Sequence, residues 1–320
     1  MDLASRRTEH IGWSSALTAL FVSALWGGNV IALKMGLATV PPLWSAFWRF
    51  LTGFVAVVAW AKSAGIPLKP QRGEWWPLSI LGLLFTLQIT GLNLGVNSTS
   101  PAYAVILLNS HPIFTNLISH FCVPEDRLSR QRILGLAIAF GGICYLALGR
   151  PDAQLAPHPI LGNVIVVVSA VLLAARMVYT QRLVQTIEPV RPVVWQMFFS
   201  LPVFLAAALW FEPTTLQPVT PVPVLAILYQ GLAIGGFCFV VWTRLLQRHS
   251  PGSLSVFGFS VPVFGVLLSA LIFGEAITGR VIAGVAAVMT GIVIVTRRPA
   301  PGAGAETEQS VEEALEEVLR

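Results

Sequence analysis

Polar and turn-forming residues interrupt this chain at near-regular intervals and leave ten apolar runs, each between 17 and 23 residues long. They cover 15–33, 43–60, 76–96, 102–121, 133–149, 160–180, 193–211, 223–243, 251–273 and 279–296. A bilayer core about 30 Å thick needs about 20 apolar residues per helix. The pattern therefore predicts an all-α integral membrane protein with ten transmembrane helices. The first run leads straight into the others and no Ala-x-Ala-like site follows it, so it is read as a span and not as a cleaved leader. Residues 1–14 form a short N-terminal segment, and 299–320 read as a flexible acidic tail.

Along these runs the sequence repeats itself. Ser100-Pro101 recurs 150 residues later as Ser250-Pro251, and the same offset relates Pro112 to Pro262, Phe114 to Phe264, Ser119 to Ser269 and Glu125 to Glu275. Upstream, at an offset of 148, Lys34 meets Arg182, Pro41 meets Pro189 and Phe50 meets Phe198. So many pairs at nearly constant spacing point to duplication, with one five-helix copy in 15–149 and a second in 150–298. Five is odd, so the second copy enters the membrane inverted relative to the first. Inverted repeats packed around a midplane cavity are an architecture of secondary transporters. Pro112 and Pro262 interrupt corresponding helices and are expected to act as hinges, because a mid-helix proline leaves a carbonyl unpaired.

Trp26-Gly27-Gly28-Asn29 followed by Lys34, then Trp48-Arg49-Phe50, open the first copy. Pro112-Ile113-Phe114 runs on to Glu125 and a Gly-rich fifth helix, and Pro262-Val263-Phe264 runs on to Gly274-Glu275 and the tenth. On these motifs the chain, over about residues 13 to 298, resembles the ten-helix EamA branch of the drug/metabolite transporter superfamily. The resemblance implies a basket of ten helices with a central cavity that moves small organic metabolites, often outward. One departure is the Val-Pro pair before Glu125, where the second copy has Phe-Gly before Glu275.

Composition agrees with the pattern. Of 320 residues 55% are hydrophobic and 11% charged, and the mean hydropathy is +0.74. A cytosolic enzyme, a disordered chain and a nucleic-acid binder are excluded, since no soluble fold hides so much apolar surface. The charge of +5 acquires meaning from its placement. With the N-terminus inside, fourteen of the 20 basic residues fall on the cytoplasmic side, three outside and three within spans. That asymmetry predicts a multi-pass protein of the cell membrane with both termini cytoplasmic. Cys122, Cys144 and Cys238 lie in or beside apolar runs and read as small packing residues.

Ionisable groups inside a span are costly and mark function by default. Arg49 is the first candidate for substrate binding. Arg176 is the second, although it and Arg244 lie near enough to span ends to snorkel. His111 precedes Pro112 and is suited to carry a proton or donate to substrate; His120 falls on the opposite helix face. The buried amides Asn29, Gln88, Asn93, Asn109 and Gln196 are expected at the cavity, or in interhelical hydrogen bonds. Trp26, Trp48, Trp242 and Tyr179 are candidate aromatic walls, whereas Trp44, Trp60, Trp75, Trp76 and Trp210 suit the membrane interfaces. No Asp or Glu falls inside a span, no Walker loop is present, and no residue set points to a metal, a cofactor or a catalytic centre. The expected partners are the lipid bilayer and a small molecule, with a carboxylate for the arginines and an apolar body for the rings; amino acids or related metabolites combine both. A membrane-embedded enzyme and a channel or scaffold are the alternatives. Protein partners are not specified by these features.

Overall fold

The computed structural model describes residues 13–122, 130–147, 156–213, 220–248 and 260–296, and every regular element among them is helical. In chain order these are α1 (Trp13–Gly36), α2 (Pro42–Ser63), α3 (Trp75–Ser98), α4 (Pro101–Leu108), α5 (His111–Cys122) and α6 (Arg130–Ala147). After them come α7 (Pro159–Leu183), α8 (Val190–Phe211) and α9 (Pro221–Leu228). A π-helical segment, Tyr229–Cys238, joins α9 to α10 (Phe239–Arg248), and α11 (Ser260–Phe273) and α12 (Gly279–Thr296) follow. Among the described residues six helices are long and apolar enough to cross a membrane: α1, α2, α3, α7, α8 and the continuous Pro221–Leu245. Ile133–Gly142, Phe264–Phe273 and Gly279–Gly291 are shorter apolar helices.

The surface has the opposite polarity to that of a soluble protein. Leu271 is 81% exposed and Trp210 84%, while Arg49, Gln88, Gln196 and Gln230 are buried. Apolar side chains on the outside and polar ones within suit a lipid surround, so the chain is a multi-pass membrane protein.

Local chemistry places the helix ends. Proline occupies the first turn of α2, α4, α7 and α9, where its missing N–H costs nothing. At the start of α2 the Glu212 carboxylate accepts from the Leu43 and Trp44 N–H groups at 2.8 and 3.0 Å. Gly274, with φ of +63°, follows the end of α11. Only glycine adopts that backbone without strain, and it turns Glu275 back so that its carboxylate accepts from Ser269 Oγ at 2.7 Å and Ala102 N at 3.2 Å. Glu275 thus caps α4, whose first turn carries the positive end of the helix dipole. Lys34 Nζ meets the opposite need, donating to the carbonyls of Val96 and Thr99 at the end of α3.

One predicted run is divided. The stretch 102–121 breaks into α4 and α5 at Asn109 and Ser110. Asn109 Nδ2 and Ser110 Oγ return to the carbonyls of Val105 and Leu107, and such side-chain bonds compete with helix continuation. Pro112 then offers no N–H to the preceding turn. Glu125, residues 251–259, the first twelve residues and the tail from 297 lie outside the described residues.

Helices cross where glycine removes bulk. A methyl on Gly135 of α6 would lie 2.7 Å from the Gly291 carbonyl oxygen of α12. In the same way a methyl on Gly53 of α2 would lie 2.9 Å from the Gly231 carbonyl oxygen in the π-helical segment. This second crossing positions the polar centre.

Candidate functional site

Arg49 follows from its helix face. It lies four residues before Gly53, one turn away on the side of α2 that presses on the π-helical segment. Gly231 yields further at that crossing, since a Cβ there would collide with Thr52 Oγ1 and approach the Arg49 carbonyl oxygen to 2.6 Å. The close approach brings in Gln230, which is 1% exposed. Arg49, itself 2% exposed, donates from Nη1 to Gln230 Oε1 at 2.7 Å. Its Nε and Nη2 are buried without a hydrogen-bond partner.

A second pair forms between α7 and α8. Half-buried Arg176 donates from Nη1 to Oε1 of buried Gln196 at 3.2 Å, and its Nε has no partner. Aromatic rings join the two pairs. The Arg49 guanidinium carbon lies 4.6 Å from the Phe50 ring centre, Phe50 meets Phe85 edge-on at 4.7 Å, and the Arg176 guanidinium carbon lies 5.0 Å from Phe85 and 5.6 Å from Phe239. Ring faces stabilise the cations by their quadrupoles without neutralising them. His111 is the first residue of α5, and its Nδ1 is buried without a partner.

Several other predicted residues lie at this centre's margins or apart from it. Gln88 Nε2 donates to Ser169 Oγ at 3.3 Å, and Ser169 Oγ donates to the Gln88 carbonyl at 2.8 Å, fastening α3 to α7. Asn93 Nδ2 donates to the Pro42 carbonyl at the start of α2. Asn109 serves the end of α4 through its bond to Val105. Asn29 is half-buried on α1 with its Oδ1 unpartnered. Trp26 and Trp242 pack edge to face at 4.8 Å and share a cluster with Tyr229 and Phe239. Trp48 is 40% exposed and packs on Phe47, on the same stripe of α2 as exposed Val55, while Tyr179 packs on Leu81, Leu183 and Ile187. Among the described residues neither makes a hydrogen bond or ring contact with Arg49 or Arg176. Pro112 and Pro262 are the second residue of α5 and the third of α11.

Gln230, Phe50, Phe85 and Phe239 join the centre although the sequence reading did not single them out as site residues. Gln230 had a signal: a lone amide in an apolar run, beside Gly231, Gly235 and Gly236. Phe85 had none, because burial of one phenylalanine among many is a matter of packing.

At the end of the bundle where α2 runs into α3, Arg191 of α8 pairs with Glu74 at 2.9 Å and donates to the Pro67 carbonyl. Trp195 Nε1 donates to the Leu68 carbonyl at 2.8 Å. This latch and the Glu212 and Glu275 caps lie at opposite ends of α2 and α3.

The chain is similar throughout most of its length to proteins named as transporters or efflux pumps. It is 25% identical over 281 residues to the Uncharacterized transporter YoaV of Bacillus subtilis, with 88% of this chain and 96% of that one aligned. It is 26% identical over 289 residues to a Probable amino-acid metabolite efflux pump of Salmonella typhimurium, covering 86% and 92% of the two chains. A solved crystal structure superposes with a TM-score of 0.65 at 22% identity, covering 88% of this chain and 98% of the other, which shows a shared fold. The EamA-like transporter family matches twice, at residues 13–148 and 160–297, and the chain belongs to that family.

Proposed function

We propose that the protein is a secondary transporter that exports small organic metabolites, amino acids or related compounds, from the cytoplasm. In this reading ten spans form two inverted five-helix repeats around a central cavity, in the cell membrane, with both termini cytoplasmic. Substrate reaches Arg49, Arg176 and the surrounding amides alternately from each side as the repeats rock, with Pro112 and Pro262 at the hinges.

The carrying observation is the polar centre, where buried Arg49, Gln196 and Gln230 and half-buried Arg176, drawn from both halves, lie in the interior of the bundle. Such groups are expensive inside a membrane and are kept for a ligand or an ion path. The helix packing supports the repeat. If the halves are exchanged, the contact of α1 with α11 becomes that of α7 with α5, and α3 on α7 becomes the π-helical segment on α1. Likewise α2 on the π-helical segment becomes α8 on α3, while α2 on α8 and α6 on α12 map onto themselves. Relatives named as amino-acid metabolite efflux pumps support the substrate range and direction.

Counterflow in proteoliposomes tests the reading. Vesicles preloaded with one unlabelled compound from a panel of amino acids, organic cations, sugars and nucleotide precursors should take up the matching labelled compound transiently. Failure of every compound in the panel would remove the transport reading.

A further inference from the structure

The polar centre has an imbalance of charge that narrows its ligand. Among the described residues Arg49 has one hydrogen bond, to a neutral amide oxygen, and so has Arg176. The described carboxylates are all engaged at helix ends: Glu74 with Arg191, Glu188 on Val190 N, Glu212 on α2 and Glu275 on α4. The acceptors left in the interior, such as Gln88 Oε1 and Asn93 Oδ1, are uncharged. The unpartnered nitrogens of Arg49 are Nε and Nη2, which form one edge of the guanidinium fork. Two parallel N–H groups on that edge match both oxygens of a single carboxylate. A ligand ammonium in the same place would meet cations and, among the described residues, no counter-charge, and burying it unpaired is costly.

We infer that this site selects organic acid anions that have an apolar or aromatic body and no free ammonium group. The carboxylate binds side-on to Nε and Nη2 of Arg49, the second positive charge of Arg176 adds to the attraction, and the body lies against the wall of Phe50, Phe85 and Phe239. The inference rests on the transport reading and sharpens it, placing deaminated relatives of amino acids ahead of the amino acids themselves.

Isothermal titration calorimetry on the full chain in detergent decides it with three probes of nearly the same body: phenylpyruvate, phenylalanine and phenethylamine. Phenylpyruvate should bind at least roughly tenfold more tightly than phenylalanine, and phenethylamine should not bind. Arg49→Lys retains the charge without the fork and should weaken phenylpyruvate by about tenfold or more, while Arg280→Ala, at the start of α12, should leave its affinity unchanged. Should Arg49→Lys fail to fold, the three-probe series on the unaltered chain still decides. A smaller preference, a reversed one, or binding of none of the three overturns the inference. Counterflow of a free amino acid by the same protein would then leave the transport reading standing, and absence of all counterflow would remove both.

Discussion

Arg49 Nη1 and Gln230 Oε1 meet at 2.7 Å across the crossing of α2 with the π-helical segment, a contact 181 residues apart in the chain. Two glycines make it possible: with side chains at Gly53 and Gly231 the backbones would separate. A π-helical stretch often marks a functional position inside a helix, and here it presents Gln230 to the arginine.

Replacing Gln230 with leucine should therefore strand a buried guanidinium. The lost hydrogen bond to a charged group is expected to lower stability by about 1.5–3 kcal/mol. Thermal unfolding in detergent measures this, and Gln230→Glu should restore the bond.

Gly231→Ala should also destabilise, by about 1–3 kcal/mol, because the added methyl meets Thr52 Oγ1 and the Arg49 carbonyl in a crossing that is already closed. Gly141→Ala is the matched control. Nothing lies within 4 Å of the position its methyl would take on α6, so helix propensity alone acts and stability should rise by up to about 1 kcal/mol. Equal effects of the two changes would contradict the packing described at α2.

The latch between α8 and the α2–α3 connection calls for a double-mutant cycle. Arg191 and Glu74 are only 8% and 12% exposed as side chains. Arg191→Ala and Glu74→Ala should couple by about 0.5–3 kcal/mol in unfolding free energy. Coupling near zero would make the pair incidental.

Glu212→Ala should cost about 1 kcal/mol, since two N–H groups at the start of α2 lose a charged acceptor. Glu212→Gln retains an acceptor oxygen without the charge, so the drop in unfolding temperature should be intermediate.

How far the sequence reveals this molecule differs between levels. Length and apolarity carry the long helices: the runs predicted at 15–33, 160–180 and 193–211 lie inside α1, α7 and α8. Gly274-Glu275 was legible as a helix end because a left-handed glycine and an acidic cap each leave a residue-type signature. The interior was harder to read. Trp48 and Arg49 are neighbours in sequence, yet about 100° of helix rotation separates them; Arg49 turns to Gln230 and Trp48 to the exposed stripe. An apolar run contains no information about which of its faces meets protein and which meets lipid, because both are apolar. Gln230 is hard to read from sequence for a related reason: its role depends on the glycine crossing, a property of two distant segments. The break at Asn109 and Ser110 was visible only as the proline two residues beyond it.

If substrate passes through the polar centre, the buried Arg49 of α2 must take part in transport. Radiolabelled counterflow in proteoliposomes, run side by side with the unaltered chain and Arg49→Gln, tests it most directly. Loss of an interaction with a charged group corresponds to a fall of roughly tenfold or more, so Arg49→Gln should lose at least about nine-tenths of the exchange rate while inserting and folding as before. Undiminished exchange of every transported compound by Arg49→Gln would mean that Arg49 lies outside the transport site.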